Sequence, residues 1–145
     1  MGLVDRIKAD EGLKLSAYHD KFGYPTIGYG HKLSNVAWED LSKYPDITEQ
    51  QAQDLLDQDI AHSADELYNS LPWTDELSDP RHEVLVEMVF QMGIGGLLEF
   101  KNTLAACEKG NYVAAAAGMR ASAWHKETPA RCERLAMIMQ TGIDA

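Results

Sequence analysis

The sequence predicts an α+β fold that is mostly helical and has one small β-hairpin near the N-terminus. Apolar residues recur at helical spacing through most of the chain. The period becomes that of strands only between residues 15 and 31, where aromatic and β-branched residues flank a turn that contains glycine and proline. A length of 145 residues suits one compact domain, and the chain has no internal repeat.

The first predicted element is a helix over residues 2–11. Leu3 and Ile7 repeat at helical spacing, and Gly12 follows as a C-terminal stop. Glu11 continues the same stripe one turn later, so we expect its carboxyl group on the apolar side of the helix.

The hairpin follows, with its first strand ending at Asp20 and its second beginning at Thr26. Their side chains can therefore converge on one water molecule across the turn. In a continuous second strand, Thr26, Gly28 and Gly30 occupy alternate positions on one face. We expect that face, which has few side chains, to form the floor of a substrate groove.

The sequence predicts helices for most of the chain from residue 48 onward. Thr48 and Gln51 form a capping box that opens a long amphipathic helix over about 48–71. Asp79-Pro80 opens an almost wholly apolar helix that Gly93 interrupts. Shorter helices are predicted at about 97–101, 102–109, 112–124 and 129–141.

Composition and charge exclude several classes of function. The net charge of -10 argues against a nucleic-acid-binding protein, and the acidic residues are concentrated in the middle of the chain. No apolar run approaches the length of a membrane span, and the N-terminus has no export signal, so we expect a cytoplasmic protein without stable membrane association. Cys107 and Cys132 have no CxxC context and are expected to be reduced thiols.

Glu11, Asp20 and Thr26 are the candidate catalytic residues. Hydrolysis of a glycosidic bond needs a protonated carboxyl group as acid and an ionised group that activates water. An apolar helix end suits the acid, and a solvated hairpin end suits the ionised group. On spacing alone, an ordinary structural role for these residues is an equal alternative.

The sequence also suggests roles for several residues outside this group. His31 is expected to point into the domain, and Asp59 lies beside the apolar stripe of the long helix, so we interpret them as a structural ion pair. Arg131 is either a partner that holds the Glu11 carboxyl group or a solvated residue of the last helix. Phe90 either stacks on a sugar ring or packs in the core. No metal-ligand spacing is present, and no metal or cofactor is expected.

Several segments match one known family in order. They are Glu11–Leu13, Tyr18–Asp20, Gly23–Tyr24, Thr26–His31, Met88–Gly93, Phe100–Asn102, Trp124 and Thr128–Arg131. On these residues the sequence resembles the lysozyme family of T-even phages and its prophage relatives, which includes phage endolysins. The resemblance spans nearly the whole chain.

The resemblance implies a two-lobed lysozyme fold in a single domain, residues 1–145. The implied hairpin lobe covers about 13–47 and the connecting helix about 48–71. The implied helical lobe covers 72–145 together with 1–12. The implied activity is that of a muramidase, which hydrolyses the β-1,4 bond from N-acetylmuramic acid to N-acetylglucosamine with inversion.

The resemblance also implies roles for individual residues. Glu11 matches the acid, Asp20 and Thr26 the pair that orients water, and Arg131 the arginine that pairs with the acid. His31 and Asp59 match an ion pair of the family. The implied substrate-binding positions are Gly30, Lys32, Phe90, Thr103 and Gly118. Lys32 and Gly118 depart from the T-even pattern, which has an apolar residue and an asparagine there.

The expected partner is the glycan strand of peptidoglycan. We expect a monomer that accumulates in the host cytoplasm and acts on the cell wall after a separate protein has permeabilised the membrane. Two alternatives remain: a lytic transglycosylase, which leaves a 1,6-anhydro end, and a glycan-binding protein that has the fold without activity. The presence of both Asp20 and Thr26 favours the hydrolase.

Overall fold

The computed structural model describes residues 2–144, and within them it has seven α-helices and one three-stranded sheet. The helices are α1 (Leu3–Glu11), α2 (Glu49–Ser70), α3 (Asp79–Leu98), α4 (Lys101–Glu108), α5 (Tyr112–Arg120), α6 (Ala123–Glu127) and α7 (Pro129–Thr141). The strands are β1 (Lys14–His19), β2 (Pro25–Gly28) and β3 (His31–Lys32). The predicted α+β, mostly helical fold class is confirmed.

The chain folds into two compact units. One is Val4–Ala61, which contains nearly all of α1, the sheet and the first part of α2. The other comprises residues 2–3 and 62–144, with the remainder of α2 and the helices from α3 to α7. The boundaries expected from the sequence group residues 1–12 with the C-terminal helices, whereas in the structure α1 from Val4 onward groups with the sheet.

The sheet is antiparallel with strand order β1-β2-β3. The predicted continuous strand from Thr26 to His31 is wrong, because β2 ends at Gly28 and the chain reverses. Gly28 and Gly30 have φ values of 69° and 76°, a conformation that glycine adopts without steric cost. The two glycines therefore form a turn between β2 and β3, and they do not alternate along a flat groove floor.

Helix α2 begins with the predicted capping box. The Gln51 backbone N–H donates to Thr48 Oγ1 at 3.1 Å, and the Thr48 N–H donates to Gln51 Oε1 at 2.8 Å. Ala52, Leu56 and Leu67 are fully buried, as the predicted apolar stripe requires.

Helices α3 to α7 form the core of the second unit, in which α5 packs on α4 and α7, and α3 packs on α7. Helix α3 is broken at Gly93 as predicted, with φ 77° and ψ 163°, and it resumes as far as Leu98. Neither α3 nor any other helix within residues 2–144 has the length and apolar character needed to span a membrane.

The predicted single helix over 112–124 is wrong. Helix α5 ends at Arg120, and α6 begins at Ala123. Between them, Ser122 adopts an extended conformation, and its hydroxyl group donates to the Met119 carbonyl oxygen at 2.6 Å. Serine interrupts the helix here because its side chain competes for a backbone acceptor.

Substitution Thr48→Ala removes one half of the capping box at the start of α2. We expect the free energy of unfolding to fall by about 1 kcal/mol, because the Gln51 N–H loses its acceptor. Urea unfolding measures this loss. Gln50→Ala is the control, since this exposed side chain in the same turn bonds only to Asp54. Equal stability of the two variants would contradict the role of the cap.

Candidate active site

One face of the small sheet brings together the hairpin residues that the sequence predicted to act on water. Thr26 pairs directly with Tyr18 on β1 and with Lys32 on β3. Directly opposed residues of antiparallel strands point to the same face. Asp20 follows Tyr18 by two residues, so it continues the same side of the chain just beyond the end of β1.

The Asp20 carboxylate is held by the backbone of its own turn. Oδ1 accepts hydrogen bonds from the backbone N–H groups of Phe22 and Tyr24, both at 2.9 Å. The Asp20 N–H donates in turn to the Tyr24 carbonyl oxygen at 3.0 Å. An aspartate at the start of a turn characteristically makes such bonds. They occupy Oδ1 and leave Oδ2 without a bond to any of the described residues.

Thr26 is only 4% exposed, and its hydroxyl group has a fixed orientation. Oγ1 donates to the Tyr24 carbonyl oxygen at 2.9 Å. A hydroxyl group that has committed its hydrogen still has lone pairs that accept. The Tyr24 backbone thus orients both Asp20 and Thr26, and each side chain keeps an acceptor available for water.

Glu11 is the last residue of α1, and its carboxyl group lies against the turn between β2 and β3. A Cβ atom at Gly30 would lie 2.7 Å from Glu11 Oε2 and 3.0 Å from Cδ. Gly30 also has a φ of 76°, which disfavours any L side chain. The sequence assigned Gly30 to substrate binding, and the structure shows in addition that its missing side chain makes room for the acid.

Tyr18, for which no role was predicted, lies beside the candidate catalytic residues. The pKa of its hydroxyl group is raised, first by burial and then by the negative charges of Glu11 and Asp20. Tyr18 therefore stays protonated and can donate a hydrogen bond at neutral pH. Its alternation with Asp20 along β1 was the signal that could have identified it.

Lys32 is exposed on the same face as Thr26, and its ammonium group lies over an aromatic ring. Nζ is 4.3 Å from the centre of the Tyr24 ring and 3.5 Å from Asn35 Oδ1. The cation–π contact holds the charge near the hairpin without neutralising it.

His31 and Asp59 come together as the sequence predicted, although both are partly exposed. His31 Nδ1 lies 2.8 Å from Asp59 Oδ2, and the two side chains are 26% and 28% exposed. The hydrogen bond to Asp59 is the main cause of a raised pKa at His31, with burial opposing it. His31 lies opposite Ile27 and therefore faces away from Thr26, which fits a structural role.

The remaining predicted substrate residues belong to the second unit. Phe90 is partly exposed, whereas Thr103 is 2% exposed. A Cβ atom at Gly118 would collide with Thr103 Oγ1, so this glycine permits the close packing of α5 on α4. Direct substrate binding by Phe90, Thr103 and Gly118 stays a prediction.

Arg131 is buried and forms an ion pair that the sequence analysis missed. Its Nε lies 3.4 Å from Oε2 of Glu87, a fully buried residue of α3. A buried carboxylate requires such a partner. The position of Glu87 within the otherwise apolar segment 84–90 was the signal in the sequence. The pairing of Arg131 with Glu11 that the resemblance implies stays a prediction.

Neither the two cysteines nor a metal-binding cluster forms a second candidate centre within residues 2–144. Cys107 and Cys132 are buried free thiols, and burial raises the pKa of each to about 11, so neither is a thiolate nucleophile at neutral pH. Within residues 2–144, no group of three or more histidine, cysteine or acidic side chains is arranged to hold a metal ion.

Among the non-glycine residues of 2–144, Trp38 alone has a left-handed backbone conformation, with a φ of 62°. For a bulky residue this conformation costs about 1–2 kcal/mol. Trp38 is nevertheless 67% exposed, so packing in the core does not offset this strain. Contacts between Trp38 and the hairpin must therefore offset it.

Comparison of the sequence with known proteins finds one matching family and several relatives. A family model described as phage lysozyme matches residues 8–137. The chain is 30% identical to probable T4-type lysozyme 1 of Dictyostelium discoideum, over 97% of this chain and 94% of that protein. It is 30% identical to the pre-baseplate central spike protein Gp5 of Enterobacteria phage T4, over 98% of this chain but 28% of that protein. It is 29% identical to the endolysin of Salmonella phage P22, over 62% of this chain and 60% of that protein.

The His31–Asp59 pair predicts a pH-dependent contribution to stability. Because the folded-state pKa of His31 is raised, the contribution is complete below the ordinary histidine pKa and is lost as the pH rises through the folded-state value. At pH 5 we expect His31→Asn to lose roughly 1.5–3 kcal/mol of unfolding free energy, the range for a charged hydrogen bond. Urea unfolding of both proteins between pH 5 and 9 measures the difference, which should shrink with pH. A difference that is constant or grows would contradict the assignment.

Proposed function

Because the chain belongs to the phage lysozyme family, we propose that it hydrolyses the β-1,4 bond between N-acetylmuramic acid and N-acetylglucosamine in bacterial peptidoglycan, with inversion. The observation that supports this best is the shared orientation of Asp20 and Thr26, whose acceptor atoms are both fixed by the Tyr24 backbone. Such an arrangement fits a water molecule that must be held before it attacks.

Glu11 is the proposed general acid. In the reaction its carboxyl proton passes to the glycosidic oxygen as the bond to the sugar C1 breaks. Gly30 allows the carboxyl group to lie against the backbone of the turn, and this contact limits the positions that the acid can take. The main chain of the turn is therefore one of the contacts that place the acid, and it is more rigid than a side chain.

Asp20 and Thr26 are proposed to hold the attacking water. The water donates one hydrogen bond to Asp20 Oδ2 and the other to Thr26 Oγ1, which leaves an oxygen lone pair directed at C1. As the new C–O bond forms, Asp20 accepts the proton of the water. Tyr18 remains protonated beside the two carboxyl groups and can donate a hydrogen bond there.

The other predicted residues have supporting roles in this proposal. Gly30 and Lys32 would contact the glycan strand beside the sheet. Substrate contacts by Phe90, Thr103 and Gly118, and a bond from Arg131 to the acid, are further predictions of the family resemblance. His31 and Asp59 maintain the fold of the unit that contains Asp20 and Thr26.

The biological setting of the proposal is the lysis of a bacterial host. We propose a monomer that collects in the host cytoplasm and reaches its substrate, the cell wall, only after another protein has opened the membrane. Its expression alone should leave cells intact, and permeabilisation of the inner membrane should then cause lysis, measured by turbidity. Lysis without any membrane damage would contradict this route.

Product analysis tests the reaction itself. Purified peptidoglycan digested with the protein should give muropeptides with reducing N-acetylmuramic acid ends in mass spectrometry, because water is the nucleophile. Glu11→Gln should abolish their formation while keeping the melting temperature. Glu108→Gln is a matched control, since Glu108 is likewise the last residue of its helix, α4. Anhydro ends would indicate a transglycosylase, and absence of any product from the unmodified protein would indicate a binding protein.

Substitution Gly30→Ala tests the contact that places the acid. Its Cβ would force the Glu11 carboxyl group to move, so we expect at least a tenfold fall in kcat, as for other small displacements of catalytic groups. Gly12→Ala is the control: Gly12 has a φ of 70°, but a Cβ there meets nothing within 4 Å. Both variants should lose about 1 kcal/mol of stability from backbone strain. Equal activity of the two would contradict the role of the contact.

A further inference from the structure

We propose that Trp38 is a positioning residue for Asp20: it fixes the turn between β1 and β2 from the face opposite the reaction. This inference rests on the proposed function of Asp20 and goes beyond it, because Trp38 lies outside every segment that resembles the known family. Trp38 is 67% exposed, yet its backbone is strained. Strain at an exposed residue indicates a requirement other than core packing.

Trp38 lies on the side of the sheet away from Thr26. Its ring centre is 5.2 Å from that of His19. His19 alternates with Tyr18 along β1 and therefore points to the opposite face from Tyr18 and Thr26. Trp38 consequently acts on the turn without occupying the space in which substrate and water would bind.

Two contacts join Trp38 to the centre of the turn, Gly23. The Trp38 N–H donates to the Gly23 carbonyl oxygen at 2.7 Å. The indole ring also covers Gly23 so closely that a Cβ atom there would lie 2.7 Å from Cδ2 and Nε1. Gly23 is buried although it belongs to a surface turn, and its φ is 87°.

Gly23 in turn determines where the Asp20 carboxylate is held. The Gly23 N–H donates to the Asp20 carbonyl oxygen at 2.9 Å. The two donors to Asp20 Oδ1 are the N–H groups of Phe22 and Tyr24, the residues on either side of Gly23. A rotation of the backbone at Gly23 therefore moves these two donors relative to each other, so that Asp20 Oδ1 cannot keep both bonds in the same position.

The segment that carries Trp38 is itself anchored through Glu39. The carboxylate of Glu39 accepts from Ser34 Oγ at 3.1 Å, pairs with Lys43 Nζ at 3.0 Å and accepts a short hydrogen bond from the Tyr44 hydroxyl group. The Glu39 carbonyl oxygen also lies 2.7 Å from His19 Nε2. Trp38 is thus held from its own segment and from β1, as a fixed support for the turn must be.

The first test removes the indole ring and relieves the backbone strain at the same time. In Trp38→Gly, the new glycine adopts a positive φ without steric cost. Trp38→Asn serves if the glycine variant fails to fold, because asparagine also tolerates a positive φ and keeps a side chain. We expect kcat on peptidoglycan to fall about tenfold with KM unchanged. Trp38→Phe, which keeps a ring over Gly23, should recover most of kcat. Val36→Ala, at a side chain 56% exposed in the same segment, is the control and should keep the original kcat.

A double-mutant cycle separates positioning from general damage to the fold. In an Asp20→Asn background, the further effect of Trp38→Gly on kcat should disappear, because the group being positioned has already been removed. An equal fold-loss in both backgrounds, or an unchanged kcat in the single variant, would overturn the inference. Full activity of Asp20→Asn alone would instead refute the proposed function of Asp20.

Amide hydrogen exchange tests Trp38 without relying on activity. In Trp38→Gly or Trp38→Asn, the Phe22 and Tyr24 amides should exchange at least ten times faster than in the original protein, while the Leu56 and Leu67 amides of α2 keep their rates. Unchanged exchange at Phe22 and Tyr24 would overturn the inference whatever the catalytic result.

Discussion

The proposed active site depends on the close approach of the Glu11 carboxyl group to the backbone at Gly30. A side chain at position 30 would lie within the contact radius of Glu11 Oε2. The positive φ of Gly30 also allows the short turn that returns β3 beside β2. One residue without a side chain thus closes the sheet and accommodates the proposed acid, so the fold and the chemistry of this unit share one steric requirement.

The register of the sheet places the candidate residues that would act on water, Asp20 and Thr26. Because Thr26 is central and pairs with both outer strands, Tyr18 and Lys32 flank it on the same face. The backbone of Tyr24 then orients the side chains of Asp20 and Thr26. Main-chain donors and acceptors fix these groups before substrate binds, which reduces the reorganisation that catalysis would otherwise require. Trp38 extends this principle to the far side of the turn.

The sequence predicted the elements with long periodic patterns. Helix α2 and its capping box were accessible because apolar spacing and Thr48–Gln51 chemistry are local. The break at Ser122 was missed because it depends on a side-chain bond to one backbone carbonyl group. The reversal after Gly28 was missed because it depends on the positive φ values of Gly28 and Gly30. Among the candidate site residues, the pairing of His31 with Asp59 was predictable from polarity within apolar patterns. Three features were not predicted, because they require the tertiary arrangement. They are the Glu11–Gly30 contact, the placement of Tyr18 and the Glu87 partner of Arg131.

The stereochemistry of the first product tests the central claim most directly. If Asp20 and Thr26 hold the water that attacks C1, the β-linked sugar must be released as the α anomer. Proton NMR of the anomeric signals, recorded within the first minutes of digestion and before mutarotation, distinguishes the two anomers. The proposed mechanism predicts that the α signal of N-acetylmuramic acid appears first. Initial release of the β anomer would contradict it, because retention requires a covalent intermediate or its equivalent on the enzyme.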